Sequence, residues 1–240
     1  MNPAAVRCKS CWVVFALNSV LLQMVTAEDF LKKPYLQWSK SETEKMLRDS
    51  PWAKHITLSK TSMLFRQEER TSNAEREQTE TPVVTYTAQL RSAIPIRQAV
   101  VRERQLQEGY DGMSAAQKAA LDAKTNAYLN STQEEIVVLV SYESNVRNYV
   151  DLLRRYWTQQ TYDLVKNSVS LKLGTEWSSP TGYAATNGAF QFNFPRPPQL
   201  PRDGSMVLQF QHPGVGVLGP ERVVIEFKLD KMLVDGVPAI

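Results

Sequence analysis

The spacing of apolar residues along the chain switches between two periods, and each period predicts one kind of element. Over residues 82–91 the apolar side chains occupy every second position, which is typical of a strand with one buried face. Between residues 146 and 157 they recur at intervals of three and four, which predicts a helix with one apolar stripe. Near-helical spacing also begins at Pro95, and Gly109 stands where a helix-ending residue is expected.

Serine residues placed three positions before a glutamate or glutamine mark two further helix starts. Ser39 with Glu42 and Ser41 with Glu44 are alternative capping boxes for the first of these helices, and Ser114 with Gln117 is the box of the second. In a capping box the serine and the residue three positions later satisfy each other's free backbone N–H groups. Pro51 restricts the residue before it to extended conformations, so the first helix should end just ahead of it. The helix near residues 146–157 has Ser144 or Asn145 as its expected cap.

Strand patterns become more frequent towards the C-terminal end of the chain. Residues 136–140 form a continuous apolar run, which favours a strand buried on both faces. Strand character returns over residues 162–173. After Gly174 no helix signal occurs, and prolines and glycines separate three alternating runs. These runs lie at residues 190–194, 206–210 and 223–229.

Together these elements predict an α+β protein, in which a mixed sheet carries helices on one face and an all-β part follows. We expect an α+β domain over residues 28–174, with a mobile loop at residues 66–81, where the only apolar residue is Ala74. A β-rich part over residues 175–240 either continues the first sheet or forms a small sandwich of its own. The expected boundary is the stretch at residues 174–188, which is rich in serine, threonine, proline and glycine.

The first 27 residues have the order of a secretory signal peptide. Arg7 and Lys9 precede a mostly apolar run over Trp12–Val25, and a small-residue cleavage site follows at residues 25–27. The apolar run is shorter than the roughly 20 residues that a membrane-spanning helix needs. The sequence therefore predicts an exported protein, periplasmic or extracellular, with no membrane span after cleavage. The alternative is an uncleaved anchor in the inner membrane.

Charge and cysteine content argue against a nucleic-acid partner and against a redox or metal site. The chain has 28 basic and 25 acidic residues, and two of the basic ones leave with the predicted signal peptide. Such a balance argues against nucleic acid, whose binders carry clustered basic charge. Cys8 and Cys11 have the spacing of a redox or zinc pair, but both lie within the predicted signal peptide. We therefore expect no cofactor and no metal.

Catalytic signals are weak. His55 and His212 are the two histidines of the chain, and a serine–histidine–aspartate mechanism would need one of them. His212 stands directly before a proline–glycine turn, so we expect it at the surface. The carboxylates of Asp111 and of residues 134–135 are candidates for acid–base work, but glutamates before a buried strand are usually solvated. We predict no catalytic residue.

The glycines of residues 214–219 have the spacing of a dinucleotide-binding loop. That site needs a helix after the loop, because the free N–H groups at the helix start hold the phosphates. Here a strand pattern follows instead. We therefore interpret this segment as a loop between two strands.

Several segments resemble a group of uncharacterised exported bacterial proteins. The resemblance rests on Trp38-Ser39 followed by Ser50-Pro51-Trp52-Ala53, on Leu90-Arg91-Ser92-Ala93, and on the closing Asp235-Gly236 with the residues before it. It implies export from a bacterial cell. It implies no activity and transfers no catalytic residue.

The sequence thus predicts a non-catalytic binding or structural module. Its expected contact surface lies in the proline- and aromatic-rich loops and includes Trp177, Tyr183, Arg196 and His212. The expected partner is another envelope protein or a polysaccharide, and not nucleic acid. The alternative hypothesis is a small exported hydrolase that uses carboxylates or a lone histidine within reach of a serine.

Overall fold

The computed structural model describes residues 31–59 and 81–240. The predicted signal peptide, and all but the last residue of the predicted mobile loop at 66–81, lie outside the described residues. The helices are α1 (Lys40–Arg48), α2 (Ile94–Gln107), α3 (Ala115–Asn130), α4 (Arg147–Gln159) and α5 (Tyr162–Val165). The strands are β1 (Ala53–Ser59), β2 (Val83–Leu90), β3 (Glu135–Ser144), β4 (Ser170–Leu173), β5 (Glu176–Ser178), β6 (Gly182–Thr186), β7 (Ala189–Pro195), β8 (Ser205–His212), β9 (Glu221–Lys228), β10 (Leu233–Val234) and β11 (Val237–Pro238).

Two larger antiparallel sheets form the body of the fold. The first has the strand order β1-β2-β3-β7-β6, and the second has the order β5-β4-β8-β9. Their inner faces pack together through aromatic rings: the Phe210 ring lies 5.1 Å from that of Tyr86 and 5.6 Å from that of Phe190. The predicted α+β class with a β-rich C-terminal part is confirmed.

The capping boxes start helices where the sequence predicts them. The backbone N–H of Ser39 donates to the Glu42 carboxylate at 2.8 Å, and that of Ser114 donates to the Gln117 side chain at 2.9 Å. The predicted side-chain caps of α4 are wrong, because Val146 is its N-cap residue. Asn145 instead accepts a hydrogen bond from the Val83 backbone at 2.9 Å, across the sheet. The Asn145 side chain therefore links the start of β2 to the end of β3.

Each of the two sheets contains strands from before and from after residue 174. β4 precedes this position but belongs to the second sheet, whereas β6 and β7 follow it and belong to the first. The expected boundary at residues 174–188 contains the whole of β5 and β6. The strand predicted over residues 162–173 begins instead as the short helix α5.

The prediction that β3 is buried on both faces is wrong. Ile136, Val138 and Val140 are fully buried against the second sheet, but Val137 and Leu139 are half-buried on the opposite, outer face. An antiparallel sheet commonly leaves one face in contact with water. A continuous apolar run therefore does not establish that both faces are covered.

Candidate binding groove

A groove of about 790 Å³ lies between β5 and the segment at residues 195–201. Most of its lining is apolar, and its polar side chains are those of Thr175, Glu176, Ser178, Arg196 and Gln199. The apolar part consists of Ile136, Leu171, Leu173, Trp177 and the prolines Pro195, Pro197, Pro198 and Pro201. Such a lining, mainly apolar with a few polar groups, is typical of protein binding sites.

Trp177 is presented on an edge strand. β4 and β5 form a hairpin that turns through Gly174, whose φ of +61° favours glycine because it lacks a Cβ atom. Lys172 stands opposite Trp177 in this hairpin, and its ammonium nitrogen lies 5.8 Å from the centre of the Trp177 ring. The Trp177 side chain is nevertheless 53% exposed. Its indole is thus oriented by a cation–π contact and still open to a ligand.

The opposite wall is rich in proline. A proline has no backbone N–H, so Pro195, Pro197 and Pro198 cannot donate ladder hydrogen bonds to β5. The wall consequently runs past the strand without closing onto it. Its backbone also has little freedom left to lose, which lowers the entropic cost of binding a partner.

Arg196 lies in the same wall and is half-buried. One of its terminal N–H groups donates to the backbone oxygen of Ile240 at 2.7 Å. A guanidinium has five N–H donors, of which Ile240 takes one. Arg196 is therefore held in place and can still donate hydrogen bonds into the groove.

Tyr183, also predicted to lie on the contact surface, has a different position. Its hydroxyl donates to the Trp157 backbone oxygen at 2.6 Å, and its ring lies 5.7 Å from that of Phe192. Burial raises the pKa of the Tyr183 hydroxyl, so it keeps its proton as a donor. Its contacts fasten α4 to β6, and it does not line the groove.

The prediction of a surface position for His212 is wrong. His212 is the last residue of β8, and its side chain continues the inward-facing series of Leu208 and Phe210. It is fully buried, and its Nδ1 atom lies 2.7 Å from the hydroxyl of Tyr86, also fully buried. Burial lowers the pKa of His212 to about 4, so the ring is neutral at pH 7. The turn begins only after this residue, which explains the error.

The hydrolase hypothesis requires a histidine close to a serine and a carboxylate. His55 is exposed on β1, opposite Thr87 of β2. The side-chain hydrogen bonds found for residues 31–59 and 81–240 join neither histidine to a serine or a carboxylate. In the same ranges, no group of three or more histidine, cysteine, aspartate or glutamate residues is placed to hold a metal ion.

The candidate acid–base carboxylates have structural partners. Asp111 accepts two hydrogen bonds of 2.9 Å from the buried guanidinium of Arg102, which lowers the pKa of the Asp111 carboxyl. Glu135, expected to be solvated, is half-buried and accepts from Thr181 at 2.5 Å and from Asn193 at 2.8 Å. Both carboxylates therefore fix neighbouring segments.

The glycine-rich segment at residues 214–219 is a loop between β8 and β9, as predicted. Gly216 packs directly against the Tyr149 ring, leaving no room for a Cβ atom. The Tyr149 hydroxyl accepts the Val217 backbone N–H at 3.1 Å. This glycine is thus required for close packing of the loop on α4.

Within the part of the chain that the structure describes, no helix combines the length and apolar character needed to cross a membrane. Comparisons of the chain with protein-family models, curated proteins and solved structures found no match.

Proposed function

We propose that this protein is an exported, non-catalytic binding module that holds a protein segment of the cell envelope in the groove beside Trp177. The proposal rests on one observation above all. A large aromatic ring, oriented by Lys172, stands 53% exposed in a groove whose other wall is rigid. About half of the Trp177 surface is therefore available to provide binding energy.

The chemistry of the groove favours a protein over a polysaccharide. Tryptophan and arginine, here Trp177 and Arg196, are the residue types that most often dominate protein–protein binding energy. The apolar floor formed by Leu171 and Leu173 suits apolar side chains better than a chain of hydroxyl groups. Binding of an envelope polysaccharide is the competing outcome of the test below.

Export is supported by the N-terminal pattern of basic, apolar and small residues. N-terminal sequencing of protein purified from its native cells should begin at Glu28, and cell fractionation should recover it outside the cytosol. Intact residues 1–27 on protein found in the cytosol would contradict export. That result would leave the groove itself untouched.

Binding is tested with three variants of the purified protein, coupled to a resin and exposed to envelope extract. Trp177→Ala and Arg196→Ala remove groove side chains, and Leu164→Ala is the matched control because Leu164 is 60% exposed on α5. We expect one protein to be retained by the wild type and by Leu164→Ala, and lost with Trp177→Ala. Direct titration with that purified protein should then give at least a tenfold weaker Kd for Trp177→Ala.

Equal retention by all variants would refute the groove as the binding site. If purified wall polysaccharide is retained instead, in a manner that depends on Trp177, the site stands but the partner class is wrong. Melting temperatures of the variants identify any loss that results from unfolding.

A further inference from the structure

The outer face of the first sheet carries a second cleft, which shares no residue with the Trp177 groove. It has a volume of about 420 Å³ and lies beside the half-buried β3 side chains described above. The residues that line it are Arg91, Tyr128, Gln133, Val137, Leu139 and Gln191. Cavities of this size suit a small ligand or a single unit of a polymer.

Arg91 supplies the only charge among these lining residues. Its backbone N–H donates to the Val137 oxygen at 2.8 Å, which continues the β2–β3 ladder by one residue and fixes the base of the side chain. No carboxylate of residues 31–59 or 81–240 lies within 4 Å of the Arg91 guanidinium. A half-buried guanidinium without an anionic partner is well suited to bind a carboxylate through two parallel hydrogen bonds.

The uncharged residues of the cleft are of two kinds, apolar or aromatic side chains and polar amides. Val137 and Leu139 form an apolar floor, and the ring of Tyr128 is 38% exposed. The side-chain N–H groups of Gln133 and Gln191 already bond within the protein, to Ser131 at 2.7 Å and to Asn193 at 2.9 Å. With these N–H groups engaged, the amide oxygens of both glutamines are the groups left to accept hydrogen bonds from a ligand.

Tyr128 is held on a rigid support. It lies in the last turn of α3, whose end is fastened by the buried Arg97. One nitrogen of that guanidinium donates to the backbone oxygens of Tyr128 at 2.9 Å and of Ser131 at 2.8 Å. The backbone that carries this ring is therefore fixed beside the cleft.

We propose that this cleft binds a hexuronate unit, the carboxylate-bearing sugar of an acidic polysaccharide. Its carboxylate pairs with Arg91, its hydroxyls donate to the amide oxygens of Gln133 and Gln191, and its C–H face lies against Tyr128. A neutral sugar leaves Arg91 unpaired, and a purely apolar acid leaves both amide oxygens without donors. The proposal is independent of the Trp177 groove.

The neighbouring cleft restricts how the sugar binds. Arg91 also lines this cleft, which contains the carboxylates of Glu44, Glu103 and Glu143. With Arg48 as the only other cation among the described residues that line that cleft, these carboxylates repel any anion that approaches Arg91 from their side. The uronate carboxylate can therefore pair with Arg91 only from the side of Val137, where the rest of the sugar lies.

Calorimetric titration of the purified protein with a galacturonate trisaccharide, and with the uncharged galactose trisaccharide, tests the proposal. We expect the acidic sugar to bind at least tenfold more tightly than the neutral one. Arg91→Gln should weaken uronate binding at least tenfold. Arg155→Gln should leave it unchanged, since Arg155 is an exposed arginine on α4.

Four results would overturn the proposal: no uronate binding at millimolar concentration, equal binding of both sugars, equal binding by Arg91→Gln, or equal losses in both arginine variants. Tighter binding of a short peptide with a free C-terminal carboxylate would overturn the sugar assignment. Should Arg91→Gln fail to fold, Gln133→Glu takes its place. The added carboxylate at the rim of the cleft should repel the uronate and weaken its binding at least tenfold.

Discussion

Two regions of this molecule are rich in aromatic side chains, and they differ in what surrounds the rings. Between the sheets, Phe190 stacks on Trp157 with ring centres 3.8 Å apart and also contacts the rings of Tyr86 and Phe210. In the groove, Trp177 has Lys172 beside its ring and is mostly exposed. Rings enclosed by other rings stabilise the fold, whereas a ring fixed on one side is available to a partner. Surroundings, more than residue type, distinguish the two roles.

The largest expected effect comes from emptying the centre of the enclosed cluster. Phe190→Ala removes a fully buried ring and leaves a cavity between the sheets, which should lower the free energy of unfolding by about 3–5 kcal/mol. Urea denaturation followed by circular dichroism measures this loss. A change below about 1 kcal/mol would show that the two inner faces are not packed against each other as described.

A smaller effect should follow from the buried histidine of the same cluster. The folded-state pKa of His212, about 4, lies below its ordinary value of 6.5 because burial disfavours the charged ring. Its contribution to stability is therefore fully present above pH 6.5 and is lost as the pH falls towards 4. We expect this loss to be on the order of 2 kcal/mol.

Urea denaturation between pH 7.5 and pH 4 measures this dependence, with His212→Leu for comparison. The variant should be less stable at pH 7.5, since the Tyr86 hydroxyl loses its partner, but its stability should fall less steeply with pH. Identical slopes in both proteins would assign the acid sensitivity to other groups.

The smallest stability effect is expected in the groove. Trp177→Ala should lower the free energy of unfolding by about 1 kcal/mol, less than the other two changes, because about half of this residue's surface is exposed. The same denaturation assay measures it. A loss of 2 kcal/mol or more would show that Trp177 is a structural ring like Phe190, and the comparison between the regions would fail.

Periodicity in the sequence identifies the long elements, because each long element repeats one spacing several times. The alternating runs at residues 190–194, 206–210 and 223–229 are strands, and the helix signals near Ser39, Pro95 and Ser114 are followed by α1, α2 and α3. β5 has only three residues, too few to show a period. The spacing of apolar residues therefore does not predict the edge strand β5, although the sequence does single out Trp177 as a contact residue.

The wrong position predicted for His212 has a different cause. His212 continues the alternation of the two inward-facing residues before it in β8, and this spacing was a stronger signal than the turn that follows. Arg91 continues the outward-facing series of Thr87 and Gln89, but sequence alone does not tell which carboxylates fold next to it. Among the described residues, the lack of an ion pair for Arg91 is a property of the tertiary structure.

The placement of β7 between β3 and β6 has a consequence for any shortened form of the protein. A fragment that stops at residue 174 would expose the whole backbone edge of β3, ready to recruit strands from other molecules. It would also lack Phe190 and Phe210, so Tyr86 would meet water instead of rings. The part of the chain up to residue 174 therefore shares both its sheets and its aromatic core with the part that follows.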